Sequence, residues 1–126
     1  FIRNVLRGED IVMKSDGSQM RSWCYVADCA LAMLYVLLNG ERGNAYNIAD
    51  TSSVFSIREM AETLAHQAGK KVVFAIPEDA EKKVFTKISY AVFATDKLEA
   101  LGWKPLAGDW QQKLQTTIRE EMEKAN

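Results

Sequence analysis

The stretch Asp28–Asn39 sets the first condition on any fold this chain adopts. It is apolar on almost every helical face and stops at Gly40, a residue type that readily closes helices. A helix with no polar side is normally covered by protein on every side. Its near-apolar run, Cys29–Leu38, is far too short to span a bilayer. With 126 residues, 48% apolar and 26% charged, the chain is expected to be one globular domain over residues 1–126. Sixteen basic against seventeen acidic residues leave a net charge of −1. That balance lacks the electrostatic footprint of a nucleic-acid partner, and no polybasic segment suggests a membrane one. Cys24 and Cys29 are too few for a secreted disulfide framework, so a reducing cytoplasm is expected. With His66 alone beside them, no four-ligand zinc set exists without carboxylates. Phe1–Arg7 reads as an amphipathic helix already under way at the first residue, as in a piece of something longer.

Further elements follow from local signals. Phe1–Arg7 ends at Gly8, Ile11–Met13 is a short strand before the turn Ser15–Ser18, and Arg21–Tyr25 is extended. Ala45–Ile48 reads as a strand after the turn around Gly43. Ser56-Ile57-Arg58-Glu59 is a capping box, followed by Ile57, Met60, Ala61, Leu64 and Ala68 on one helical face up to Gly69. Val72–Ile76 is a strand that Pro77 ends, and Glu78–Lys87 is a balanced, solvated loop or irregular helix. Asp96–Leu101 is a short helix stopped by Gly102. Asp109 caps a last helix in which Trp110, Leu114, Ile118 and Met122 recur every four residues, with a fraying tail from Arg119 to Lys124. The expected class is α/β, an α+β lobe of short strands with several helices.

Catalytic constellations are hard to assemble from these residues. No trio among Gly8, Gly17, Gly40, Gly43, Gly69, Gly102 and Gly108 has the spacing of a dinucleotide-binding loop. His66 lies on the polar side of its helix one turn after Glu62, which suggests an exposed Glu–His pair rather than a general base. Cys24 and Cys29 read as small core residues. Glu120 and Glu121 are adjacent on a helix and do not converge on one point. One segment stands apart: Arg21 follows a tight turn and opens an extended stretch, a place from which a planar guanidinium offers its fork to a phosphate or carboxylate.

The run Asp16-Gly17-Ser18-Gln19-Met20-Arg21-Ser22-Trp23-Cys24-Tyr25-Val26-Ala27-Asp28 resembles the D-G-x-Q-x-R-x-x-x-Y-V-x-D signature of nucleotide-sugar epimerases and dehydratases, the extended short-chain dehydrogenase/reductases. Gly43–Ala49 resembles their G-x-x-Y-N-I-G/A strand and Ser56–Ala61 the helix after it. Lys97–Pro105 is similar to their K-x-x-x-L-G-W-x-P block. Four motifs in the family's order cover nearly the whole chain. The resemblance reaches only the carboxyl-terminal, substrate-binding part of such enzymes. Their N-terminal Rossmann domain, with its NAD loop and Tyr-x-x-x-Lys pair, has no counterpart here: the residues four after Tyr25, Tyr35, Tyr46 and Tyr90 are Cys29, Asn39, Asp50 and Ala94.

The resemblance therefore implies NAD in the parent enzyme, no cofactor bound by this chain, and no catalytic residue on it. It implies a nucleotide-sugar substrate and the missing Rossmann domain as partners, and leaves the oligomeric state open. Arg21 matches the arginine that contacts the diphosphate, and Gln19, on the same side of an extended segment, either lines that pocket or faces solvent. Ser56 falls near an asparagine that dTDP-glucose 4,6-dehydratases carry close to the nucleotide, although its cap already explains it. Tyr25 and Asn47 match motif residues that read as packing and strand-end groups. In R-x-x-x-D-x-x-K, Tyr90 stands at the arginine position and Ala94 at the aspartate, so diphosphate binding is weakened unless Lys83 or Lys87 substitutes. The Arg-Ser-Trp-x-Tyr-Val order leans to a dTDP-glucose 4,6-dehydratase. The alternatives are a UDP-glucose 4-epimerase or UDP-glucuronate decarboxylase lobe and a non-catalytic interaction module. A rearranged fragment, with the Asp28–Leu38 helix uncovered, is a further reading.

Overall fold

A computed structural model describes residues 1–76 and 88–124. Pro77 and the Glu78–Lys87 segment, with Lys83 and Lys87, lie outside the described residues. The elements run α1 (Ile2–Leu6), β1 (Ile11–Met13), β2 (Met20–Ser22), α2 (Val26–Asn39), β3 (Val54–Ser56), α3 (Ile57–Gln67), β4 (Val72–Phe74), β5 (Tyr90–Ala91), α4 (Asp96–Ala100) and α5 (Trp110–Lys124). The mixture of helices and short strands is the α/β class expected from the sequence.

Two small sheets organise these elements. β1 and β4 pair in parallel, with Ile11 opposite Val72 and Met13 opposite Phe74. β2 lies between β3, antiparallel, and β5, parallel. Gly17 leads into β2 at φ +69°, and a Cβ added there would stand 2.9 Å from the Arg58 backbone nitrogen. Only glycine combines that left-handed conformation with so close an approach. The closeness is productive, because Arg58 N–H donates to Gly17 O at 2.9 Å and Ile57 N–H to Gln19 O at 3.2 Å. The turn thereby ties β2 to the start of α3.

α3 begins where its capping box predicts: Glu59 N–H donates to Ser56 Oγ at 3.0 Å, and Ser56 N–H to Glu59 Oε2 at 2.6 Å. Its apolar stripe enters a buried cluster of Val5, Ile11, Met13, Ala61, Leu64 and Ala65, flanked by Leu114 and Ile118 of α5. A second cluster, Ala32, Leu98 and Trp103, joins α2 to α4 and the residues after it, with Leu31, Val36 and Ile48 against it. Burying Leu98 and Trp103 contributes roughly 1.5–3 kcal/mol per large apolar side chain.

Several sequence expectations need correction. α2 starts two residues before Asp28 and is covered on one side only, since Leu37 and Leu38 are each 77% exposed and Val26 70%. Ala45–Ile48 is not a strand, because no strand lies beside it among the described residues. β3 and β5 were not anticipated, and β2 is shifted towards the N-terminus relative to Arg21–Tyr25. The tail remains helical to Lys124, where Lys124 Nζ bonds Glu121 Oε1 at 2.6 Å. Asp109 caps α5 as expected, accepting from Gln112 N–H at 2.8 Å. Among the described residues no helix is long and apolar enough to cross a membrane, and none of their His, Cys, Asp and Glu side chains form a group of three suited to a metal.

Candidate functional site

The central sheet gathers the four residues singled out by sequence. Ser56 and Tyr90 both stand opposite Met20, one on each flank of β2, while Arg21 faces Phe55 and Ala91. Because side chains alternate along strands, Ser56 and Tyr90 share one face of this sheet and Arg21 lies on the other. Gln19 continues the Arg21 side by its two-residue spacing. The register thus places Arg21, Ser56 and Tyr90 in one sheet, divided between its faces, with Gln19 directly before β2.

Arg21 is half-buried. Its Nη1 donates to Met20 O at 2.7 Å and its Nη2 to Ile88 O at 3.1 Å. Both acceptors are neutral carbonyls, and no carboxylate pairs with this guanidinium among the described residues. Among the described residues, the charge is held in place by neutral carbonyls alone. Close by, Gln19 Oε1 is buried and lacks a hydrogen-bond partner among the described residues. Such an acceptor costs about 1–3 kcal/mol unless something donates to it. Ser56 is fully engaged in its cap, and Tyr90 is 65% exposed at the edge strand.

A cavity of about 260 Å³ opens on the same side as Trp23 and Phe55. Phe55 stacks between Trp23, at 5.4 Å, and Trp110, at 4.0 Å between ring centroids. Ile2, Met60 and Leu114 complete its apolar wall, and none of the four sequence candidates lines it. At its polar rim, Trp23 Nε1–H donates to Phe55 O and the Thr117 hydroxyl to Lys113 O.

Beside the cavity lies a buried ionic network that sequence reasoning missed. Lys113 Nζ contacts Asp28 Oδ2 at 2.8 Å and Asp50 Oδ2 at 3.3 Å. Asp28 Oδ1 accepts from Leu106 N–H at 2.7 Å, and Asp28 O from Trp103 Nε1–H at 3.1 Å. Asp50 also accepts from the Ser52 N–H and hydroxyl and from the Ser53 hydroxyl. Burial pushes the Asp50 carboxyl up, but these donors and Lys113 outweigh it and hold it below the usual carboxylate range. Burial likewise opposes the charge on Lys113, and the two aspartates outweigh it and raise the ammonium pKa. Asp28 was visible as the last residue of Y-V-x-D; its pairing with Lys113, 85 residues away, had no local signal.

The remaining candidates are structural. Glu62 pairs with Arg58, Nε to Oε1 at 2.7 Å, so the expected Glu62–His66 pair gives way to the arginine one turn earlier. Asn47 donates to Ala94 O at 3.1 Å and Tyr25 is the N-cap of α2. Cys24 and Cys29 are half-buried rather than core, and burial pushes the Cys24 thiol up to about 11. The positive-φ glycines do not form the shape of a dinucleotide loop. Gly8, Gly69 and Gly102 follow helices, and none stands between a strand and the start of a following helix. NAD therefore finds no fitting cradle among the described residues.

Comparison with known proteins adds the following likenesses. Residues 1–49 match the model of the NAD dependent epimerase/dehydratase family. A dTDP-glucose 4,6-dehydratase of Neisseria meningitidis is 33% identical over 116 residues, covering 84% of this chain and 32% of that protein. The chain is similar to members of the NAD-dependent epimerase/dehydratase family. UDP-glucuronic acid decarboxylase 6 of Arabidopsis thaliana is 32% identical over 109 residues, covering 83% of this chain and 29% of its own length. Among solved structures, the UDP-glucose 4-epimerase of Thermotoga maritima, determined with UDP-glucose, superposes with a TM-score of 0.80 at 21% identity. That match covers 99% of this chain and 38% of the epimerase. The chain spans about a third of the length of the curated relatives it matches.

Proposed function

We propose that this chain is the nucleotide-sugar-binding lobe of an NAD-dependent enzyme similar to dTDP-glucose 4,6-dehydratase, with Arg21 as the diphosphate contact. The observation that carries the reading is the guanidinium of Arg21, which no carboxylate pairs with among the described residues and which two carbonyls orient at the centre of a three-stranded sheet. A diphosphate supplies the anionic oxygens this fork lacks, and such charge-assisted bonds contribute roughly 1.5–3 kcal/mol. Gln19 Oε1, buried and without a donor among the described residues, suits a sugar or base N–H or O–H on the same ligand. In this reading the lobe binds and orients substrate, while NAD and the proton-transfer tyrosine reside on a separate Rossmann domain of the parent enzyme.

UDP-glucose 4-epimerase and UDP-glucuronate decarboxylase lobes are the alternatives, because relatives of both kinds match most of the chain. Calorimetric titration with dTDP and with UDP separates the dTDP reading from both UDP alternatives by the preferred base. The reading expects saturable binding weakened about 10- to 150-fold by Arg21→Ala, the fold equivalent of the bond strength above. Equal affinity of wild type and variant, or binding of neither nucleotide, contradicts it.

A further inference from the structure

We propose that Cys24 and Cys29 form a reversible disulfide across the start of α2, making this junction an oxidation site. The helix frame brings them together. Tyr25 is the N-cap, with φ −68° and ψ 142°, so Cys24 is the residue before the cap and Cys29 the fourth helical residue. Side chains at these two positions characteristically pack against each other at a helix start. One carbonyl oxygen anchors both: Tyr25 O accepts from Cys29 N–H at 2.9 Å and lies 3.6 Å from Cys24 Sγ. Both thiols are free and half-buried, with neither committed to a buried apolar cluster. Negative charge on Cys29 is among the causes that raise the Cys24 thiol, as expected for close neighbours.

The oxidant is a small-molecule disulfide such as oxidised glutathione. The Cys29 sulfur attacks it, forming a mixed disulfide and releasing one glutathione. Cys24 then loses its proton to solvent and attacks the Cys29 sulfur, and the second glutathione leaves as a thiolate that takes up a proton. Two protein thiols are oxidised by two electrons and one glutathione disulfide is reduced to two thiols. Because the Cys24 thiol is raised to about 11, ring closure is slow at neutral pH and rises about tenfold per pH unit as its thiolate fraction grows. The link would fix the direction in which β2, carrying Arg21, feeds α2.

The test incubates the whole chain with oxidised glutathione, quenches with acid, alkylates and digests with trypsin. Cleavage after Arg21 and Arg42 leaves both cysteines on one peptide. The expected result is a peptide lighter by two hydrogens and resistant to alkylation, forming about tenfold faster at about pH 8.5 than at about pH 7.5. Cys24→Ser should stop at the Cys29 glutathione adduct, and dithiothreitol should restore both thiols. Two alkylated cysteines, separate glutathione adducts on each, or disulfides only between chains overturn the proposal.

Discussion

Lys113 joins parts of the chain that are distant in sequence: the first turn of α2 through Asp28 and the loop before β3 through Asp50. Removing its charge while keeping its bulk leaves two carboxylates in a buried place with no cation. Lys113→Met is therefore expected to lower unfolding free energy by about 3–5 kcal/mol, measured by urea denaturation. Ser56→Ala removes one hydrogen bond of a cap whose reciprocal half remains, and should cost about 1 kcal/mol in the same assay. The carboxyls of Asp50 and Glu59 are both held below their usual values, Glu59 chiefly by the Ser56 N–H. A depressed carboxyl stabilises above its unfolded pKa, near 4, and that contribution is lost as pH falls through the lower folded value. Stability should accordingly fall below about pH 4, and less steeply in Asp50→Asn, whose side chain no longer titrates.

Among the elements, the helices declared themselves in the sequence more clearly than the strands. The capping box at Ser56, the four-residue recurrence in α5 and the glycine after α4 are local signals, each operating within a turn or two. β3 and β5 span three and two residues, too few for an alternating pattern, and exist because β2 pairs with both. Ala45–Ile48 shows the converse: it has strand-like residues and no neighbouring strand among the described ones. Helix α2 combines both lessons, since Ala32 is buried while Leu37 and Leu38 stand in solvent. Leu98→Ala, behind the covered face, should cost about 2–5 kcal/mol. Leu37→Lys with Leu38→Lys should change stability by less than about 0.5 kcal/mol per site and reduce binding of a hydrophobic dye.

At the scale of the whole molecule, two features stand side by side without overlapping: an aromatic cavity, and an arginine that no carboxylate pairs with among the described residues. Arg21 and Gln19 were legible because a motif fixed their spacing. The split of Ser56 and Tyr90 to the opposite sheet face was not, since it depends on which residues stand opposite Met20. Nitrogen-15 NMR of the whole chain titrated with dTDP-glucose distinguishes the two features directly. The account predicts saturating shifts of the Arg21 Nε–H and of the Gln19 side-chain amide, with the Trp110 indole N–H unmoved. Shifts confined to the indoles of Trp23 and Trp110, with Arg21 and Gln19 unchanged, would contradict it.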